Sequence, residues 1–163
     1  SGRAVQAQMV KLDWSSTSHT DAGLLWMDSF NSYFCDRDYG ALLAATAAQL
    51  TNSPPGSPKW LAAKLYHGVA LNHQTPPEPA AAAAAFEEVL SYGLRASEKR
   101  QTHDHLILFA ARWRIHLAFN ADDPATAVNI VQWVEQADGY ADLNAKFLKD
   151  HKWVTQWAAA KGR

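Results

Sequence analysis

The residues richest in chemistry are seven histidines and one cysteine, and their spacing decides what they can do. His103, Asp104 and His105 place two imidazoles and a carboxylate in consecutive positions, the ligand types of a metal-dependent hydrolase. On a helix, positions i and i+2 are turned roughly 200° apart, so both rings cannot reach one ion. The triplet therefore reads as a solvated first turn. His67 and His73 are six apart and straddle different faces. Neither H-E-x-x-H nor E-x-x-H occurs, so zincin and di-iron chemistry lack their ligands. Cys35 has no local histidine base, and Tyr33 and Phe34 beside it predict a packed thiol. There is no G-x-G-x-x-G, P-loop or G-x-S-x-G. These patterns predict no catalytic residue, no metal and no cofactor, hence no enzyme; a small helical metal-dependent hydrolase using the histidines is the alternative.

Two surfaces hold more promise. His105, Arg112 and His116 fall at i, i+7 and i+11 and share a stripe on an otherwise apolar segment. Cations in apolar surroundings are costly unless paired. The stripe either lines a groove that meets a partner's acidic or C-terminal carboxylate group, which arginine recognises well, or pairs within the chain, with Asp28, Glu87 or Glu88. The second surface is the last segment, where Lys146, Lys149, Lys152 and Lys161 make a basic side. Trp153 is expected to point away from the Leu143, Phe147, Val154 and Trp157 face. A tryptophan among lysines suits a partner or a base; it also suits a terminal cap. The predicted partner-binding residues are His105, Arg112, His116, Lys149 and Trp153.

The elements that must position these residues are helices. Residues 1–19 read as a flexible tail, with Val10 and Trp14 as its only anchors. Ser18 or Thr20 caps a first helix through Leu25, Trp26, Phe30, Tyr33 and Phe34, and DRD at 36–38 ends it. YGALLAATAAQL follows, completing a hairpin over 20–52. SPPGSP at 53–58 is a strong loop signal, with Ser57 and Pro58 as cap and first helical residue. A second hairpin spans 58–93: Leu61, Leu65, Gly68 and Leu71 line one helix, TPPEP turns, and six alanines lead into Phe86, Val89 and Leu90. There the alanines read as a thin face packed close to Gly68, and Gly93 stops the helix. A third hairpin spans 97–138, capped by Ser97 and again at Asp123–Pro124. Its first helix is apolar nearly all round from Leu106 to Phe119, as a helix buried on several sides is. A terminal helix covers about 141–160.

With 163 residues the chain is expected to form one all-α domain over 20–163, about seven helices in antiparallel hairpins. Abundant Ala and Leu favour helix over sheet. A net charge of −1 gives no general attraction to nucleic acid or acidic membranes. One cysteine excludes an internal disulfide and predicts a reducing, cytoplasmic setting. No apolar run reaches the roughly 20 residues a bilayer span needs. The SGRAVQAQ start, without an initiator Met or signal sequence, reads as a boundary inside a longer protein.

Turns near residues 37, 77 and 122 recur at a spacing that suggests a solenoid of helix pairs. LYHGVAL at 65–71, the A-x3-F of Ala82 to Phe86, DYGALLAA at 38–45 and FNADDPATAV at 119–128 together resemble tetratricopeptide (TPR) repeats over residues 21–138. The period exceeds the 34 residues of a regular repeat, and an irregular helical bundle is the alternative fold. The resemblance implies a TPR-like right-handed α-solenoid: a non-enzymatic adaptor that holds a peptide or helix of a protein partner in its groove. A self-associating structural domain, hence a homo-oligomer, is the third reading.

Overall fold

Prolines and aspartates set the helix starts of this chain. In the computed structural model, which describes residues 28–94 and 101–162, every regular element is an α-helix and the fold is all-α. The helices are α1 (Asp28–Cys35), α2 (Tyr39–Asn52), α3 (Pro58–His73), α4 (Pro79–Leu90), α5 (Gln101–Asn120), α6 (Pro124–Gln136), α7 (Ala141–Asp150) and α8 (Lys152–Lys161). Ser57 caps α3 by accepting from the Trp60 amide at 3.3 Å, and Pro58 occupies its first turn, where a missing N–H costs nothing. Pro79 starts α4 and Pro124 starts α6 in the same way. The segments expected before residue 28, the tail over 1–19 and the Ser97 cap lie outside the described residues.

Two turns share one construction. Before α2, Asp38 N–H donates to the Tyr33 carbonyl at 2.9 Å and Arg37 N–H to Phe34 at 3.1 Å. Before α6, Asp123 N–H donates to Ala118 at 2.8 Å and Asp122 N–H to Phe119 at 3.1 Å. This crossed pair satisfies carbonyls left open at a helix end. It forces left-handed backbone at Arg37 (φ 59°) and Asp122 (φ 56°). The next residue then caps the following helix: Asp38 accepts from Ala41 N–H at 3.1 Å and Asp123 from Thr126 N–H at 3.2 Å.

The chain divides into two compact units, and among the described residues these are 28–92 and 93–162. In the first, each helix packs on the next, α1 on α2, α2 on α3 and α3 on α4. Leu42, Leu61, Leu65, Tyr66, Phe86 and Val89 are buried at its centre. A Cβ at Gly68 would stand 2.7 Å from Phe86 Cε1, so it is the Phe86 ring that needs the glycine. Of the six alanines only Ala82 and Ala85 are buried; Ala80, Ala81 and Ala84 are exposed. Thr46 bridges α2 to α3. Its hydroxyl donates to the Leu42 carbonyl at 2.8 Å, so the 2.8 Å contact with His67 Nδ1 is an N–H donated to Thr46 Oγ1. Cys35, expected to be packed, is exposed, because it ends α1 beside the turn.

In the second unit α5 packs on α6, α7 touches both, and α8 lies on α6 and α7. From His103 to Ala118 every residue of α5 is buried except His105 and Arg114, which are half-buried. The single terminal helix expected over 141–160 is instead two, broken at His151 (φ −115°, ψ 18°). Among the described residues no helix is long and apolar enough to cross a membrane.

Candidate functional site

The first turn of α5 is not solvated: His103 is 4% exposed and Asp104 is wholly buried. Each has a structural task. Asp104 Oδ2 accepts from the Tyr140 amide at 2.8 Å, fixing the entry to α7, and His103 Nε2–H donates to the Gly93 carbonyl at 2.8 Å. The described residues contain no group of three or more His, Cys, Asp or Glu side chains able to hold a metal.

Arg112 finds its counter-charge within the chain. Its Nη2 donates to Asp150 Oδ2 at 2.9 Å, with the two side chains 9% and 24% exposed. The partner is Asp150, at the end of α7, and not Asp28, Glu87 or Glu88. The guanidinium also lies over the Phe147 ring, 5.5 Å from its centroid. Burial works against the arginine charge and lowers its pKa, and the bond to Asp150 offsets part of that.

The remaining stripe residues separate. His105 is half-buried, with Phe109 5.5 Å away. Its pKa is lowered to about 4, first by desolvation and then by the cations Arg112 and Lys146. His116 is buried, meets Trp113 edge-on at 5.6 Å and contacts Asn120 Nδ2 through Nε2 at 3.2 Å. Arg112 therefore joins α5 to α7, while His116 packs with Trp113 and Asn120 of α5 itself.

His151, which the sequence reading passed over, is the wedge that breaks α7 from α8. Its ring is 4% exposed, stacks on Phe147 at 4.1 Å between centroids and donates Nδ1–H to the Phe147 carbonyl at 2.7 Å. Desolvation is the main cause that lowers its pKa to about 4; the Phe147 carbonyl and Asp150 pull upward and Arg112 pulls down.

Trp153 does not point away from Trp157. The two are four apart on α8, the spacing of one helix face, and their rings lie 6.1 Å apart. Phe119, at the end of α5, meets Trp157 at 4.9 Å and Trp153 at 5.5 Å. All three rings are half-buried, so the triangle closes on itself and still offers aromatic surface to solvent. Beyond it, Lys161 Nζ reaches the Asp122 carboxylate at 2.8 Å and ties the end of α8 to the α5–α6 turn. Lys146, Lys149 and Lys152 are exposed and make no ion pair among the described residues. Phe119 and Trp157, absent from the predicted site, form the aromatic cluster with Trp153, whereas Lys149 is exposed on α7.

In comparisons with known proteins, no family, no curated protein and no solved structure matches this chain.

Proposed function

We propose that this chain is a non-enzymatic interaction module, a TPR-like helical adaptor that takes a peptide or helix of a partner protein on the α5–α8 face of its second unit. The observation that carries this reading is the half-buried triangle of Phe119, Trp153 and Trp157. Tryptophan is the residue type most enriched where binding energy concentrates, and rings already held by one another lose little side-chain freedom when a partner covers them. Successive packing of α1 to α4, each helix on the next, supports the helix-pair scaffold. His105, Arg112 and His116 hold the scaffold together, and Lys149 and Trp153 belong to the binding face.

Panning a random peptide library against the intact chain tests this reading. Peptides are expected to enrich on the wild type and to be lost on Trp157→Ala, while circular dichroism shows the helices retained. Equal enrichment on both proteins, or none on either, overturns it.

A further inference from the structure

We infer that α8 is an acid-released flap hinged at His151: as the buried ring gains a proton, α8 leaves the second unit while α5 and α6 stay folded. The hinge is the break between α7 and α8, where the backbone of His151 stands at φ −115° and ψ 18°. Its ring is 4% exposed, 4.1 Å from the Phe147 ring of α7 and 6.4 Å from the Trp153 ring of α8.

The groups around that ring favour its neutral form. From α5, the cation of Arg112 opposes a second positive charge. From α7, Asp150 favours protonation, but its carboxylate is already engaged by Arg112 at 2.9 Å. The Phe147 ring, which could host an imidazolium, also carries the Arg112 guanidinium. Helix α6 has one titratable residue, Glu135, and it is exposed; α8 begins with Lys152, a further cation. Burial is the largest influence, and the folded pKa falls to about 4 from 6.5. His105 does not share the switch, because Phe109, Arg112 and Lys146 around it belong to α5 and α7.

What else holds α8 is weak. Ten residues are too few for a helix to persist alone in water, and Val154 is its one buried residue. The Lys161–Asp122 bond joins side chains that are 45% and 64% exposed, and such surface pairs contribute little. Helix α5, by contrast, is buried along most of its length, so α8 is the element that opens first. If His151 meets water on release, each opening takes up one proton. The opening constant then rises roughly 25-fold from pH 7.5 to 5. Release also parts Trp153 and Trp157 from Phe119, which would dismantle the binding face proposed above, but the flap itself does not rest on that reading.

Amide hydrogen–deuterium exchange of the intact chain, corrected for the intrinsic effect of pH, reads each helix separately. Protection over residues 152–161 is expected to fall roughly 25-fold from pH 7.5 to 5, while 105–118 and 124–134 keep theirs. His151→Gln retains a donor for the Phe147 carbonyl and does not titrate; its α8 is expected to be equally protected at both pH values. In the wild type alone, the slope of protection against pH is expected to report one proton per opening. Flat protection in the wild type overturns the flap, as does a pH dependence that survives in His151→Gln. Loss across α5 and α6 in step with α8, or a slope of two protons, means that the whole unit unfolds and overturns it too. Loss across 141–150 together with α8 overturns His151 as the hinge.

Discussion

Asp150 Oδ2 stands 2.9 Å from Arg112 Nη2 across 38 residues of sequence, and the better buried of the two is the cation. Removing the carboxylate strands a guanidinium in the interior, whereas removing the guanidinium leaves a carboxylate that water still reaches. Asp150→Ala is expected to cost about 2 kcal/mol and Arg112→Met clearly less, since Met keeps the packing against Phe147. Urea denaturation of both variants checks this; equal losses would show that the pair is not the asymmetric contact described. Charge reversal at Arg112 would set two carboxylates against each other and is expected to lower the melting temperature, as a structural role requires.

Acid is expected to weaken the second unit well before carboxylates titrate. His151 and His105 have folded pKa values lowered to about 4 from the ordinary 6.5. The unfolded chain therefore binds more protons than the native state between those limits. Stability is full above pH 6.5 and falls as pH drops toward 4, by at most about 1.4 kcal/mol per pH unit for each histidine. Asp123, whose carboxyl is held below its usual range by Thr126, adds its loss only below about pH 4. Urea midpoints measured from pH 7.5 to 4.5 should show this slope, and His151→Phe should flatten it. An unchanged slope would mean that the ring is already charged in the folded state.

Glycines 68 and 40 are expected to respond oppositely to alanine. At Gly68 the new Cβ would meet Phe86 Cε1 at 2.7 Å, and overpacking of about 1–3 kcal/mol outweighs a helix-propensity gain of about 1 kcal/mol. At Gly40 the nearest atom is 4.0 Å away, so Gly40→Ala should gain about 0.5 kcal/mol. Thermal melting of the two single variants separates them by sign.

Arg37 adopts left-handed backbone at φ 59°, where a side chain costs about 1 kcal/mol or more. Arg37→Gly relieves that strain while loosening the unfolded chain by about 0.4–1 kcal/mol, so a neutral to slightly stabilising change is expected. A clear drop in the melting temperature would reveal a contact of the Arg37 side chain that matters more than its backbone.

What could be read from the sequence was local. Ser57–Pro58 and Asp123–Pro124 announce helix starts because cap and proline act within three residues, and Gly93, at φ 73°, stops α4 for a reason its own backbone supplies. Pairings across long separations were not legible. Nothing in a list of acids favours Asp150 for Arg112, or tells that Asp104 serves the Tyr140 amide 36 residues on. The break at His151 was hidden because K-D-H-K contains neither proline nor glycine. The ring of His151 lies on Phe147, one turn back in the same helix, a contact that a continuous helix would also make. The Trp153–Trp157 face was legible from the spacing of four; treating Val154 and Trp157 as the inner face turned Trp153 the wrong way.

The wedge at His151 also governs where this protein can be shortened. A piece ending at Asp150 keeps the counter-charge of Arg112 and discards Trp153 and Trp157, leaving Phe119 without its aromatic neighbours at the end of α5. Such a piece is expected to become self-adhesive, because the ring that α8 shelters and the core surface that the buried Val154 covers would look for cover on another molecule. The last helix is thus a lid on stickiness, and its final tether is the bond from Lys161 to Asp122.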